Sequence, residues 1–85
     1  MQLFHKWLPL RRNIEKGMIH IGKLIEQELR NQERTVTWFA EKLCYERTNA
    51  YSIFKRENID TLLLLKISRI LHHDFFQYYQ EELNK

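Results

Sequence analysis

The segment from Thr35 to Arg56 constrains the fold more than any other part of the chain. Thr35 is a good N-cap, and the apolar residues that follow it recur at the spacing at which helical residues share one face. Those residues are Phe39, Ala40 and Leu43. A second helix is expected to begin near residue 46 or 47, with its own apolar residues directed inward. These are Ala50, Ile53 and Phe54. The segment therefore predicts two short helices joined by a tight turn.

The second of these helices, expected over about 46–56, is polar on the side away from its apolar residues. Its outward residues are Arg47, Thr48, Asn49, Tyr51 and Ser52. Such side chains can hydrogen-bond base edges or phosphate groups, so the helix suits the major groove of DNA. Arg47 is the first choice for a base contact, because arginine pairs bidentately with guanine and this arginine lies at the start of the helix. The alternative is an ordinary exposed arginine that pairs with Glu46.

Other residues of the segment are predicted to contact phosphate groups. Arg34 precedes the first helix, and Lys55 and Arg56 end the second, where cations would position the domain without specifying a base sequence. The first helix also begins with backbone N–H groups that form a ready anion site. Those groups belong to Thr35, Val36 and Thr37. The alternatives are a solvated rim of cations and a helix N-terminus that is merely capped.

Composition limits the class of protein. A chain of 85 residues forms one domain, and two glycines and one proline favour helices with short loops, which predicts an all-α bundle. The single cysteine excludes an intrachain disulfide and indicates a reducing compartment. No apolar run approaches the ~20 residues that a membrane span needs, so we expect a cytoplasmic protein.

Charge is unevenly distributed. The first 23 residues hold five basic side chains against one acid, a net +4, whereas the rest holds nine against ten, a net −1. Residues 1–17 are interpreted as an N-terminal arm. Two structural alternatives stay open for the arm, a segment disordered in isolation or a short helix packed on the core. Its role is open as well, with a solvated linker favoured slightly over an arm that touches phosphates through Arg11 and Arg12.

About five helices are expected in all, including one before the central segment, from residue 18 or 21 to residue 31. Another is predicted from Thr61 to about Leu71 with Asp60 as its N-cap. Its apolar residues cannot share one stripe, which predicts burial over much of its circumference. They are Leu62, Leu65, Ile67, Ile70 and Leu71. Asp74 and Gln77 have the spacing of a capping box, which predicts a last helix over about 75–84.

Four aromatic residues cluster at the start of that last helix. They are Phe75, Phe76, Tyr78 and Tyr79. One face of a terminal helix in so small a core cannot bury all of them, so we expect a surface for a homodimer. The alternative is that they fold back against the first helix.

The stretch from Ile21 to Phe76 resembles the Cro-type phage-repressor family of helix-turn-helix regulators, also called the xenobiotic-response-element family. Members share a threonine, then four residues, an alanine, two residues and a leucine, here Thr35, Ala40 and Leu43. IGKLIEQELRNQ is similar to the family's first helix and IDTLLLLKISRIL to its fourth, so the resemblance covers about two thirds of the chain. Two positions depart from the family pattern, Cys44 for the usual turn glycine and Phe54 for a common glutamate.

The resemblance implies a lambda-repressor-like domain over residues 18–76. The C-terminal helix at 77–85 lies beyond the resemblance, and its aromatic residues make it the expected contact with a second subunit. The resemblance further implies a dimeric, sequence-specific binder of double-stranded DNA that regulates transcription, as a repressor. A second hypothesis uses the same fold as a protein-binding module, an antitoxin or adaptor, through the aromatic C-terminal face. No catalytic constellation is present in the sequence, and His72 and His73 lack further ligands at metal-binding spacing, so no enzyme, metal or cofactor is expected.

Overall fold

A computed structural model describes residues 19–84, and these residues form an all-α bundle without a strand. The predicted arm at 1–17 lies outside the described residues. Five helices follow one another along the chain, and the fold class predicted from the sequence is confirmed. They are α1 (Ile21–Asn31), α2 (Val36–Leu43), α3 (Arg47–Phe54), α4 (Thr61–Leu71) and α5 (Gln77–Leu83).

Side-chain caps fix where several helices begin. Thr35 Oγ1 accepts a hydrogen bond from the backbone N–H of Trp38 at 3.0 Å, and Asp60 Oδ1 accepts one from Leu63 at 2.8 Å. Both predicted N-caps are confirmed. α5 begins two residues later than expected, because Asp74 Oδ1 accepts from the Phe76 N–H at 3.0 Å and holds residues 75 and 76 in a turn.

The core is built from one apolar stripe of each of α1–α4, together with Phe75 and Tyr78 near the C-terminus. The largest side chains that are completely enclosed are Ile21, Ile25, Phe39, Ile53, Leu64, Ile67, Leu71 and Phe75. Phe39 of α2 stacks on Phe54 of α3, with ring centroids 5.9 Å apart and an angle of 16° between the rings. None of the helices within residues 19–84 is long and apolar enough to cross a membrane.

α4 differs from its prediction. It was expected to be buried on most sides, but Leu62 is 74% exposed and Leu65 39% exposed, and only one face of the helix enters the core. That face consists of Leu63, Leu64, Ile67 and Leu71. A run of four leucines spans more than one turn of a helix with 3.6 residues per turn, so it cannot direct all four inward.

The C-terminal aromatics mostly fold back onto the bundle. Phe75 is fully buried and Tyr78 is 4% exposed, so neither can contribute to a dimer surface as predicted. Phe76 and Tyr79 are half-buried against the core.

His73 packs against both buried aromatic residues. The His73 ring lies 4.7 Å from the Phe75 ring, its Nε2 is 2.9 Å from the Tyr78 hydroxyl, and its Nδ1 is 3.6 Å from Glu28 Oε1 of α1. Burial raises the pKa of the Tyr78 hydroxyl, and the carboxylates of Glu28, Glu81 and Asp74 raise it further. Tyr78 therefore stays protonated up to strongly alkaline pH and keeps its hydrogen-bonding hydroxyl.

Candidate nucleic-acid interface

The turn between α2 and α3 sets the angle between the two helices. Cys44 has φ 60° and ψ 38°, the left-handed conformation for which glycine is usual. The N–H of Tyr45 donates to the carbonyl of Ala40 at 2.9 Å and that of Cys44 to the carbonyl of Glu41 at 3.1 Å, which closes the end of α2. The tight turn predicted from the sequence is confirmed, and it forms without glycine.

Replacing Cys44 by glycine is expected to raise the free energy of unfolding by about 0.5–1 kcal/mol, because glycine removes the Cβ strain of the left-handed conformation and this gain exceeds the added freedom of the unfolded chain. Urea unfolding measures the change. Cys44→Ala is the matched control, since it removes the thiol but retains the Cβ. A glycine variant no more stable than the alanine variant would show that the strain relieved by glycine does not exceed the added freedom of the unfolded chain.

α3 is apolar on the side that faces the core and polar on its exposed side. Ala50, Ile53 and Phe54 are buried, as predicted. All five residues predicted to contact bases are exposed, and they are Arg47, Thr48, Asn49, Tyr51 and Ser52. α3 thus offers a polar surface to a partner while its apolar side fixes it to the bundle.

The exposed residues of α3 differ in how they are held. The ring of Tyr51 packs edge-on against Phe54, with centroids 6.2 Å apart, while half of the residue stays exposed. Ser52 Oγ donates to the carbonyl of Asn49 at 2.7 Å, which leaves its lone pairs to accept from a partner. Within the described residues Arg47 forms no ion pair, so the guanidinium is not engaged by Glu46.

Two backbone hydrogen bonds join the residues just after the C-terminal end of α3 to the start of α1. The N–H of Gly22 donates to the carbonyl of Arg56 at 3.0 Å, and that of Ile21 to the carbonyl of Glu57 at 3.2 Å. A Cβ at residue 22 would lie 2.6 Å from the Phe54 carbonyl oxygen and 2.7 Å from that of Arg56. Only glycine permits so close an approach. Sequence reasoning missed this contact, although a glycine inside a helix of a glycine-poor chain was a usable signal.

The residues predicted to contact phosphate surround the α2–α3 unit. Arg34, Lys55 and Arg56 are exposed, and the Arg34 guanidinium lies 4.4 Å from the centroid of the Trp38 ring. Thr35 caps α2, and the N–H groups of Val36 and Thr37 fall in the first turn, where a helix offers no carbonyl to receive them. This helix N-terminus is therefore open to an acceptor from outside the chain.

Two cations near these residues were not predicted as contacts. A groove of about 420 Å³ joins Lys55 and Tyr51 to Lys23 and His20 at the start of α1. On the other side of the unit, Lys42 Nζ lies 5.9 Å from the Trp38 ring. Lys23 could not be found from spacing, because it meets the unit through tertiary packing, whereas Lys42 follows Trp38 by four residues on α2 and helical spacing was a usable signal for it. Among residues 19–84 no three potential ligands lie close enough to hold a metal ion.

Comparison with models of known protein families, with curated proteins and with solved structures found no match. The resemblance to Cro-type regulators therefore rests on the motif residues quoted above.

Proposed function

We propose that this protein binds double-stranded DNA in a sequence-specific manner, with the exposed side of α3 in the major groove. The two helices and their turn, α2–α3, would then act as a helix-turn-helix motif. The observation that carries the proposal is that Arg47, Thr48, Asn49, Tyr51 and Ser52 are all exposed while the opposite side of α3 is anchored in the core. These side chains provide hydrogen-bond donors and acceptors for base edges.

The surrounding cations support the same proposal. Arg34, Lys55 and Arg56 flank α3, and phosphate contacts from such residues fix the register of a protein on the duplex. The chain beyond residue 23 has a net charge of −1, so attraction to DNA would depend on this local arrangement of cations and not on the total charge. Small DNA-binding proteins of this kind commonly block a promoter, and we propose a repressor that acts in the cytoplasm of a prokaryotic cell.

A homodimer forms part of the proposal. Two α3 helices related by a two-fold axis would meet successive major grooves about 34 Å apart and read a palindromic site. Tyr79 and Leu83 lie four residues apart on α5 and so share one side of that helix, where Leu83 is 84% exposed. This side of α5 replaces the predicted four-aromatic surface as the proposed subunit contact.

A second candidate function is a protein-binding module, an antitoxin or adaptor. The exposed leucines of α4, Leu62 and Leu65, favour it, because an apolar surface can dock a protein partner. The dependence of binding affinity on salt concentration distinguishes the two functions. DNA binding that neutralises several phosphates weakens steeply with salt, whereas apolar docking does not.

Arg47→Ala tests the DNA-binding proposal. The test starts with selection of bound duplexes from a random-sequence pool by the wild-type protein. The affinity of the variant for the selected duplex is expected to fall by about 5- to 150-fold, corresponding to about 1–3 kcal/mol, with relaxed preference at one base pair. Arg30→Ala is the control, since it removes the same charge from α1, where Arg30 pairs with Glu26 at 3.2 Å. Its affinity should stay within twofold of wild type.

A different result would contradict the DNA-binding proposal. If the wild-type protein enriches no duplex and binds DNA without dependence on salt, the proposal fails. The exposed leucines of α4 would then direct the search to a protein partner.

A further inference from the structure

A cationic groove of about 500 Å³ lies between α2 and the C-terminal end of α4. Its polar lining comes from four parts of the chain, the end of α1, the loop before α2, α2 itself and the end of α4. These residues are Gln32, Arg34, Lys42, Arg69 and His72, with Trp38 forming part of the wall. Within residues 19–84, no carboxylate lines the groove and no residue of α3 belongs to it.

The positive charges of this groove are not neutralised within the described residues. Among the described residues, Glu26 pairs with Arg30 and Glu28 lies beside His73, so Arg34, Lys42 and Arg69 are left without a carboxylate partner. The positive charges that line the groove repel one another, and a bound anion would offset this repulsion. The groove therefore favours a negatively charged ligand.

Contacts with the Trp38 ring and a hydrogen bond from Gln32 hold parts of the groove wall in place before a ligand binds. The Arg34 guanidinium lies over the Trp38 ring at 4.4 Å, and Lys42 Nζ is 5.9 Å from the same ring, which limits the positions of both cations. Gln32 Nε2 donates to the Leu71 carbonyl at 2.7 Å and so ties the end of α1 to the end of α4. Arg34 and Lys42 therefore need less ordering when a ligand enters, which favours binding.

We infer that this groove binds a phosphate group through Arg34, Lys42 and Arg69. Guanidinium groups match the geometry of phosphate oxygens, and lysine adds a point charge. The phosphate would come either from the backbone of a DNA duplex or from a free phosphate compound. The inference rests on the proposed function only in the first case.

Another role for two of these residues is to stabilise the end of α4. Arg69 lies in its last turn, where positive charge interacts favourably with the helix dipole, and His72 is its C-cap. That role predicts a loss of stability on substitution without any change in anion binding. Binding and unfolding must therefore both be measured.

The test uses the fluorescence of Trp38 in the full chain carrying Trp7→Phe, which leaves one tryptophan of the two. The protein is titrated with pyrophosphate and, separately, with a short duplex of arbitrary sequence, each at constant ionic strength. Saturable changes are expected, with an affinity that falls about tenfold in Arg69→Ala. Lys66→Ala is the matched control, because it removes the same charge from α4 at an exposed position outside the groove, and it should change the affinity less than twofold.

Each outcome is informative. A response to both probes, or to one, that weakens in Arg69→Ala but not in Lys66→Ala supports the site. A response to the duplex alone identifies the DNA backbone as the source of the phosphate. A response to pyrophosphate alone identifies a free phosphate compound, and the DNA-binding proposal is then decided by the selected duplex. No saturable response to either probe, or equal weakening in both variants, overturns the inference. Lys42→Ala replaces Arg69→Ala if urea unfolding shows that the latter does not fold.

Discussion

Replacing Gly22 by alanine is expected to lower the free energy of unfolding by about 2–4 kcal/mol, although alanine is the better helix former by about 1 kcal/mol. The new methyl group would press on the carbonyl oxygens of Ile53, Phe54 and Arg56, which are backbone atoms that cannot rotate away. Relieving the clash requires α1 and the end of α3 to separate. That separation stretches the hydrogen bonds that Ile21 and Gly22 donate to Glu57 and Arg56.

Urea unfolding followed by circular dichroism measures this loss. Lys23→Ala provides the control at the neighbouring exposed position of α1, and its stability should stay within about 0.5 kcal/mol of wild type. An alanine variant as stable as wild type would mean that α1 and α3 do not approach each other so closely in solution.

Phe39→Ala is expected to cost about 3–5 kcal/mol, the range for a large aromatic side chain removed from a closed core. Phe39 is completely buried and its ring stacks on Phe54, so its loss opens a cavity where α2 meets α3. In a domain whose total stability is about 5–15 kcal/mol, such a loss unfolds a large fraction of the molecules on heating. Thermal unfolding followed by circular dichroism is the measurement.

Tyr51→Ala is the matched aromatic truncation on the other side of α3. Tyr51 is half-exposed and touches Phe54 only edge-on, so its removal should cost less than about 1 kcal/mol. Comparable losses at Phe39 and Tyr51 would contradict the orientation of α3 described above.

The sequence predicted the helices well where local chemistry determines them. α1 and α4 have the bounds expected from their apolar spacing, and the caps at Thr35 and Asp60 form as predicted because a cap depends only on residues three positions away. The exposed and buried sides of α3 were also predicted, since both follow from one helical period.

Features that depend on distant parts of the chain were missed. The helical period requires some of the four leucines to be exposed, but which of them face the core depends on where neighbouring helices lie, and so does the burial of Phe75 and Tyr78. The contact at Gly22 joins residues more than thirty positions apart in the sequence. The cationic groove likewise combines residues from the ends of α1 and α4 with three from the α2 region, and no spacing rule connects these separate parts of the chain.

α3 has eight residues, and no side chain caps its first turn at Glu46. Isolated helices shorter than about 12–15 residues are marginal in water, so a peptide of this length would not hold the helical form by itself. Its order is supplied by the rest of the bundle, through the Cys44 turn at one end and the α1 contact at the other. Amide hydrogens of α3 should therefore exchange with solvent at rates set by cooperative opening of the bundle and not by local fraying. Grafting these eight residues alone onto another scaffold would transfer the side chains without the conformation that presents them.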